Sequence, residues 1–86
     1  MKINFKQFKV YTDITQTKTK EQDMRLSFAD TMYKNCNGIM AHDLAMRIYK
    51  SEGEVEFTPD EIAFLKDFLS NATPIFVDSF DNNIKE

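Results

Sequence analysis

A chain of 86 residues has room for one domain, 1–86, with a modest core. Its 42% hydrophobic and 29% charged content excludes wholesale disorder, and its net charge of −3 excludes a general nucleic-acid-binding field. A single cysteine excludes an internal disulfide framework.

The first segment, Ile3 to Ile14, reads as extended. Val10, Thr12 and Ile14 share one parity, and Lys9, Tyr11 and Asp13 take the other, the alternation of a half-buried strand. Phe5 and Phe8 break that parity, so the segment is two short pieces or carries a bulge. Thr15 to Lys20 is polar, has no core face and reads as a loop. Residues 1–20 therefore form an extended arm, and 21–80 a helical part.

A first helix is expected over 21–35. Met24, Phe28 and Met32 step by four, and with Leu26, Ala29 and Tyr33 they make one broad apolar face. Asn35, Asn37 and Gly38 stop it. A second helix over 39–51 puts Met40, Ala41, Leu44, Ala45 and Ile48 on one side, away from Asp43, Arg47 and Lys50. Glu54–Phe57 alternates and suits a short strand beside the N-terminal one, with its acids near Lys6 or Lys9. Thr58, Pro59 and Glu61 then spell a capping box with proline at the first helical position. Ile62, Leu65, Phe68 and Leu69 continue a third helix to about residue 70. Thr73 and Pro74 open a short fourth helix over 75–83, with Phe76, Val77, Phe80 and Ile84 apolar. The fold expected is α+β and mostly α: an N-terminal strand or hairpin followed by three to four short helices.

Charge is polarised along the chain. Residues 1–20 carry a balance of +4, 21–50 cancel, and 51–86 carry −7. Either the halves pack together and neutralise each other, or they present two patches of opposite sign to two partners.

Catalytic and metal chemistry find little to work with. One cysteine, Cys36, and one histidine, His42, fall short of a zinc set. Cys36, His42 and Asp43 lack the elbow or glycine-rich setting of a nucleophile. The loop around Gly53 fails as a calcium loop, because Ile48 and Pro59 fall where acidic ligands are required. A helix-turn-helix reading meets Asp60, Glu61 and Asp67 on the third helix, which phosphates repel. No catalytic residue, metal or cofactor is assigned. Nothing approaches the ~18 apolar residues of a spanning helix, and the N-terminus interleaves charge with apolar residues unlike a signal peptide, so no membrane partner is expected.

Three stretches carry a resemblance. They are Leu26-Ser27-Phe28-Ala29-Asp30, Ala41 to Gly53 (AHDLAMRIYKSEG) and Val55 to Ile62 (VEFTPDEI). With an extended N-terminus, an "LA-x-x-IY-x-x-EG" run and a helix opening on acids, residues 24–80 resemble small proteins of phage and prophage genomes. The resemblance implies a mobile-element protein working in the cytoplasm of a bacterial host. It brings no functional residues with it.

The function expected is therefore a small non-enzymatic binding protein that inhibits a host defence complex, as anti-CRISPR proteins do. The partner is a host protein or ribonucleoprotein of the CRISPR-effector type. Two contact surfaces are candidates. One is the basic aromatic arm, Lys2, Phe5, Lys6, Phe8, Lys9 and Tyr11, whose rings and amines suit single-stranded or guide RNA. The other is the acidic edge, Glu52, Glu54, Glu56, Asp60 and Glu61, which suits a groove built for nucleic acid. The alternatives are a virion or assembly component that forms homo-oligomers through Phe76, Val77 and Phe80, and a DNA-binding regulator using Arg47 and Lys50.

Overall fold

A computed structural model describes residues 1–85. The order is β1 (Lys2–Asn4), β2 (Phe8–Tyr11), β3 (Thr19–Gln22), α1 (Arg25–Asn35), α2 (Ile39–Tyr49), β4 (Glu54–Glu56), α3 (Pro59–Phe68), a 3-10 turn (Leu69–Asn71) and α4 (Pro74–Asn83). The class is α+β and mostly helical, with three of the strands ahead of the first helix and β4 between α2 and α3.

The N-terminal segment is indeed two pieces. β1 pairs antiparallel with β4, setting Lys2 opposite Glu56, Ile3 opposite Val55 and Asn4 opposite Glu54. The acids therefore face β1 rather than Lys9. The chain then turns at Phe5–Gln7, where Asn4 Oδ1 accepts the Lys6 and Gln7 amides at 3.1 and 3.0 Å. Both phenylalanines that broke the parity point inward.

β2 forms a hairpin with β3, from Phe8 opposite Gln22 to Tyr11 opposite Thr19. This corrects two expectations. Residues 19–22 are a strand, not the end of a loop or the start of a helix, and the first helix begins at Arg25. A wholly polar, wholly exposed strand carries no apolar period, so only its partner reveals it. Ile14 lies in the hairpin turn with 94% of its surface exposed, not on the core face.

The other edge of β2 is closed by α4. Asn83 Oδ1 accepts the Lys9 amide at 3.0 Å, and its Nδ2 donates to the Lys9 carbonyl at 2.8 Å. One helical turn earlier, Ser79 Oγ accepts the Tyr11 amide at 2.9 Å. Two polar side chains thus stand in for a third strand, which explains why both are buried.

The core lies between these two strand pairs and the helices. Phe5 packs against Phe28 with ring centroids 4.9 Å apart and against Phe8 at 5.8 Å. Phe28 continues the cluster to Phe68 and Phe80, and Phe57 meets Phe5 edge-on. Aromatic pairs at these separations add about 0.5–1.5 kcal/mol each beyond burial. At α3 the capping box closes in both directions: Thr58 Oγ1 accepts the Glu61 amide at 3.2 Å, and Glu61 Oε1 accepts the Thr58 amide at 2.9 Å. α4 opens on Thr73 and Pro74 without a side-chain cap.

Candidate protein-docking face

α1 and α2 make an antiparallel helical hairpin. The turn between them passes through Gly38, whose φ of +99° only glycine adopts without strain. At the opposite end Arg25 ties the pair together. Its guanidinium donates to the Ser51 carbonyl at 2.7 Å, beyond the end of α2. Asp23 grips the same guanidinium at 2.8 and 3.1 Å and accepts the Arg25 amide, which orients the first turn of α1. These contacts hold the Asp23 carboxyl below its ordinary range and raise the Arg25 guanidinium. At neutral pH the clasp is charged on both sides.

The inward side of the hairpin carries Phe28, Ala29 and Met32 from α1 and Ala41, Leu44, Ala45 and Ile48 from α2. Its outward side is also apolar, and here an expectation is corrected. Leu26 and Tyr33 do not join the core face of α1; they stand 65% and 59% exposed. Tyr49 of α2 is 52% exposed, and Ile39 at its start is 87% exposed. An open cleft of about 180 Å³ runs between the helices, floored by Ala29 and Ala45 and walled by Leu26, Tyr33, Met46 and Tyr49. Asp30 is the one charged group in its lining among the described residues, held by Lys34 at 3.0 Å. The Tyr33 ring reaches His42, centroids 5.8 Å apart.

The expected contact surfaces fare differently. Phe5 and Phe8 are fully buried, so the basic aromatic arm keeps only half-buried Tyr11 as a ring near the surface. A base cannot stack on a core phenylalanine without unfolding the domain. The basic and acidic stretches touch along β1 and β4. Lys6 pairs with Glu52 at 3.4 Å, Lys85 with Glu54 at 3.2 Å, and the N-terminal amine with Glu56 at 3.3 Å. Lys2 and Lys9 spend their backbone groups on Lys85 and Asn83, while both side chains face out. Asp60 is exposed in the first turn of α3.

Glu61 is bound inward. Arg47 reaches it at 2.9 Å, pairs with Asp43 at 3.2 Å and lies 5.7 Å above the Phe57 ring. The Arg47 hydrogen bond, joined by the Thr58 amide, pulls the Glu61 carboxyl below its ordinary value. Arg47 is therefore a brace between α2 and α3 rather than a free reading residue. Phe80 is buried and Phe76 and Val77 are half-buried, which leaves the C-terminal apolar surface small.

Cys36 lies beside a second, wider groove of about 680 Å³, floored by Phe28, Phe68 and Phe76. Burial pushes its thiol above the ordinary value, away from the reactive thiolate. The polar groups of α1 at this groove turn back on their own helix: Thr31 donates to the Ser27 carbonyl and Asn35 to the Thr31 carbonyl. Among the described residues no three His, Cys, Asp or Glu side chains converge on a metal position, and no helix is long and apolar enough to cross a membrane.

The outward tyrosines escaped sequence reasoning because both helices are apolar on two sides. Leu26 and Tyr33 fit a core stripe as well as an outer one by spacing alone. Compared with known proteins, the chain matches no family model, no curated protein and no solved structure.

Proposed function

We propose that this chain is a small non-enzymatic binding protein that acts by covering a surface on another protein. The observation that carries the reading is the outward face of α1 and α2. Leu26, Tyr33 and Tyr49 leave more than half of their surface to water around a shallow apolar cleft. Tyrosine and methionine rimmed by charge is the composition that protein interfaces favour, and such residues carry most of the binding energy where they are found. The rest of the molecule supplies a rigid mount, because Arg25 and Gly38 fix the two ends of the hairpin.

The resemblance to phage and prophage proteins directs the proposal to a host defence complex, with occlusion as the mechanism. Protein contact is favoured over RNA contact, since the rings of the basic arm lie in the core.

The test uses purified CRISPR effector–guide complexes with a cleavage readout. Wild-type protein should inhibit cleavage by one of them at stoichiometric amounts. Tyr33→Ala with Tyr49→Ala should weaken that inhibition at least about 100-fold, as loss of two central aromatic anchors does. Ile14→Ser, in the exposed hairpin turn, should leave it unchanged. Inhibition that survives the double tyrosine variant would overturn the assignment of the face.

A further inference from the structure

The outward face has a spacing as well as a composition. On α2, Ile39, His42, Met46 and Tyr49 follow one another by three, four and three residues. On α1, Leu26, Asp30 and Tyr33 follow by four and three. Alternating three and four is the seam by which helices pack on helices at a shallow crossing angle. The two stripes lie side by side: Leu26 and Tyr49 line the same end, Tyr33 meets His42 at the other, and Asp30 and Met46 both line the cleft between. The inner stripes of the same helices already serve the core. Among the described residues this second seam has no partner.

We infer that the α1–α2 cleft receives a single amphipathic helix of the partner protein, with a basic residue at the centre of its apolar stripe. This deepens the proposed protein-binding role and rests on it.

Two observations choose this occupant over a second copy of the chain. The first is extent. The exposed parts of Leu26, Tyr33, Ile39 and Tyr49 come to roughly 400–650 Å², judged from the ~150–250 Å² of a whole large side chain. A stable dimer needs about 800 Å² from each partner, while one helix of two to three turns covers a stripe of this size.

The second is charge at the centre. Asp30 stands midway along the face. In a two-fold pairing the residues near the axis meet their own copies, so Asp30 would oppose Asp30 across an apolar surface. A lysine or arginine on an incoming helix meets the same carboxylate favourably. The Asp30–Lys34 pair is solvent-screened and spaced i to i+4, so it yields readily to an incoming cation.

The test needs two amphipathic helical peptides of about 18 residues, each with leucines at alternating three- and four-residue spacing. They differ at one central position, arginine in one and glutamate in the other. By fluorescence anisotropy the arginine peptide should bind wild-type protein at least about tenfold more tightly. Asp30→Lys is an exposed substitution and should reverse the order. Amide shifts in the full chain should fall on α1 and α2.

Equal binding of both peptides, shifts confined to another face, or an order that Asp30→Lys leaves unchanged would overturn the helix assignment. So would a dimer in sedimentation that Leu26→Glu dissolves. These outcomes separate from failure of the wider proposal. If the tyrosine variants abolish effector inhibition while neither peptide binds, the face docks protein of another shape and only the helix falls.

Discussion

Asn83 shows how much a single polar side chain can hold. Its amide spans the Lys9 peptide, accepting from the nitrogen and donating to the oxygen, and also reaches the Ser79 carbonyl at 2.6 Å. Replacing it with alanine leaves a strand edge with two unmet groups in a part-buried place. Each such loss carries a desolvation cost of about 1–3 kcal/mol. We therefore expect Asn83→Ala to lower unfolding stability by about 2 kcal/mol in urea titration, while Asn82→Ala, one residue away and exposed, stays within about 0.5 kcal/mol. Equal effects of the two would mean that the β2 edge is satisfied by water instead. Nothing in the composition singles out Asn83 over its neighbour Asn82. Its partner is 74 residues away, and pairwise reach of that kind is not written in local spacing.

Among the elements, the two Thr-Pro helix starts look alike in sequence and differ in structure. Thr58 closes its box with Glu61, whereas Thr73 has no such partner because Phe76 stands at the third helical position. Phe76 is placed there for the core, stacking on Phe8 at 5.8 Å. Thr58→Ala should therefore cost about 1 kcal/mol, in the usual range for a lost N-cap, and Thr73→Ala only a few tenths. Thermal unfolding of the two variants checks this, and a reversed order would mean that the caps are not what starts these helices. The same pair explains what was legible. Caps, prolines and the 3.6-residue stripe are local, so the third and fourth helices fall within a residue or two of their expected spans. β3 was not legible, since Thr19-Lys20-Glu21-Gln22 has no period of its own and becomes a strand only by pairing with β2. Nor was the division of α1 into two apolar sides, because burial is decided by which neighbours arrive.

At the scale of the whole molecule, the charge polarity of the chain is folded onto itself. The basic first segment and the acidic last third meet along β1 and β4, through Lys6–Glu52 and the amine–Glu56 contact. Exposed pairs of this kind contribute little each. The surface they leave is mixed in sign, and the apolar α1–α2 hairpin is its departure from that mixture. The acid response of the fold should rest on the more enclosed pair, Arg47–Glu61. The Glu61 carboxyl lies below its ordinary value of 4.5 in the folded chain, chiefly through its hydrogen bond with Arg47. A carboxyl depressed on folding stabilises the native state above its unfolded value and loses that contribution as pH falls through its folded value. Asp13 and Asp23, also depressed, act with the same sign. Stability should thus be level from about pH 8 to 5 and decline below the ordinary range of Glu and Asp. Glu61→Gln keeps an acceptor for the Thr58 amide but gives up the charge facing Arg47. It should lower the melting temperature at pH 7 and flatten the decline between pH 5 and 3, both measured by circular dichroism with temperature. If Glu61→Gln instead falls in parallel with wild type across that interval, Glu61 is not the titrating brace, and the acid response belongs to the surface carboxylates.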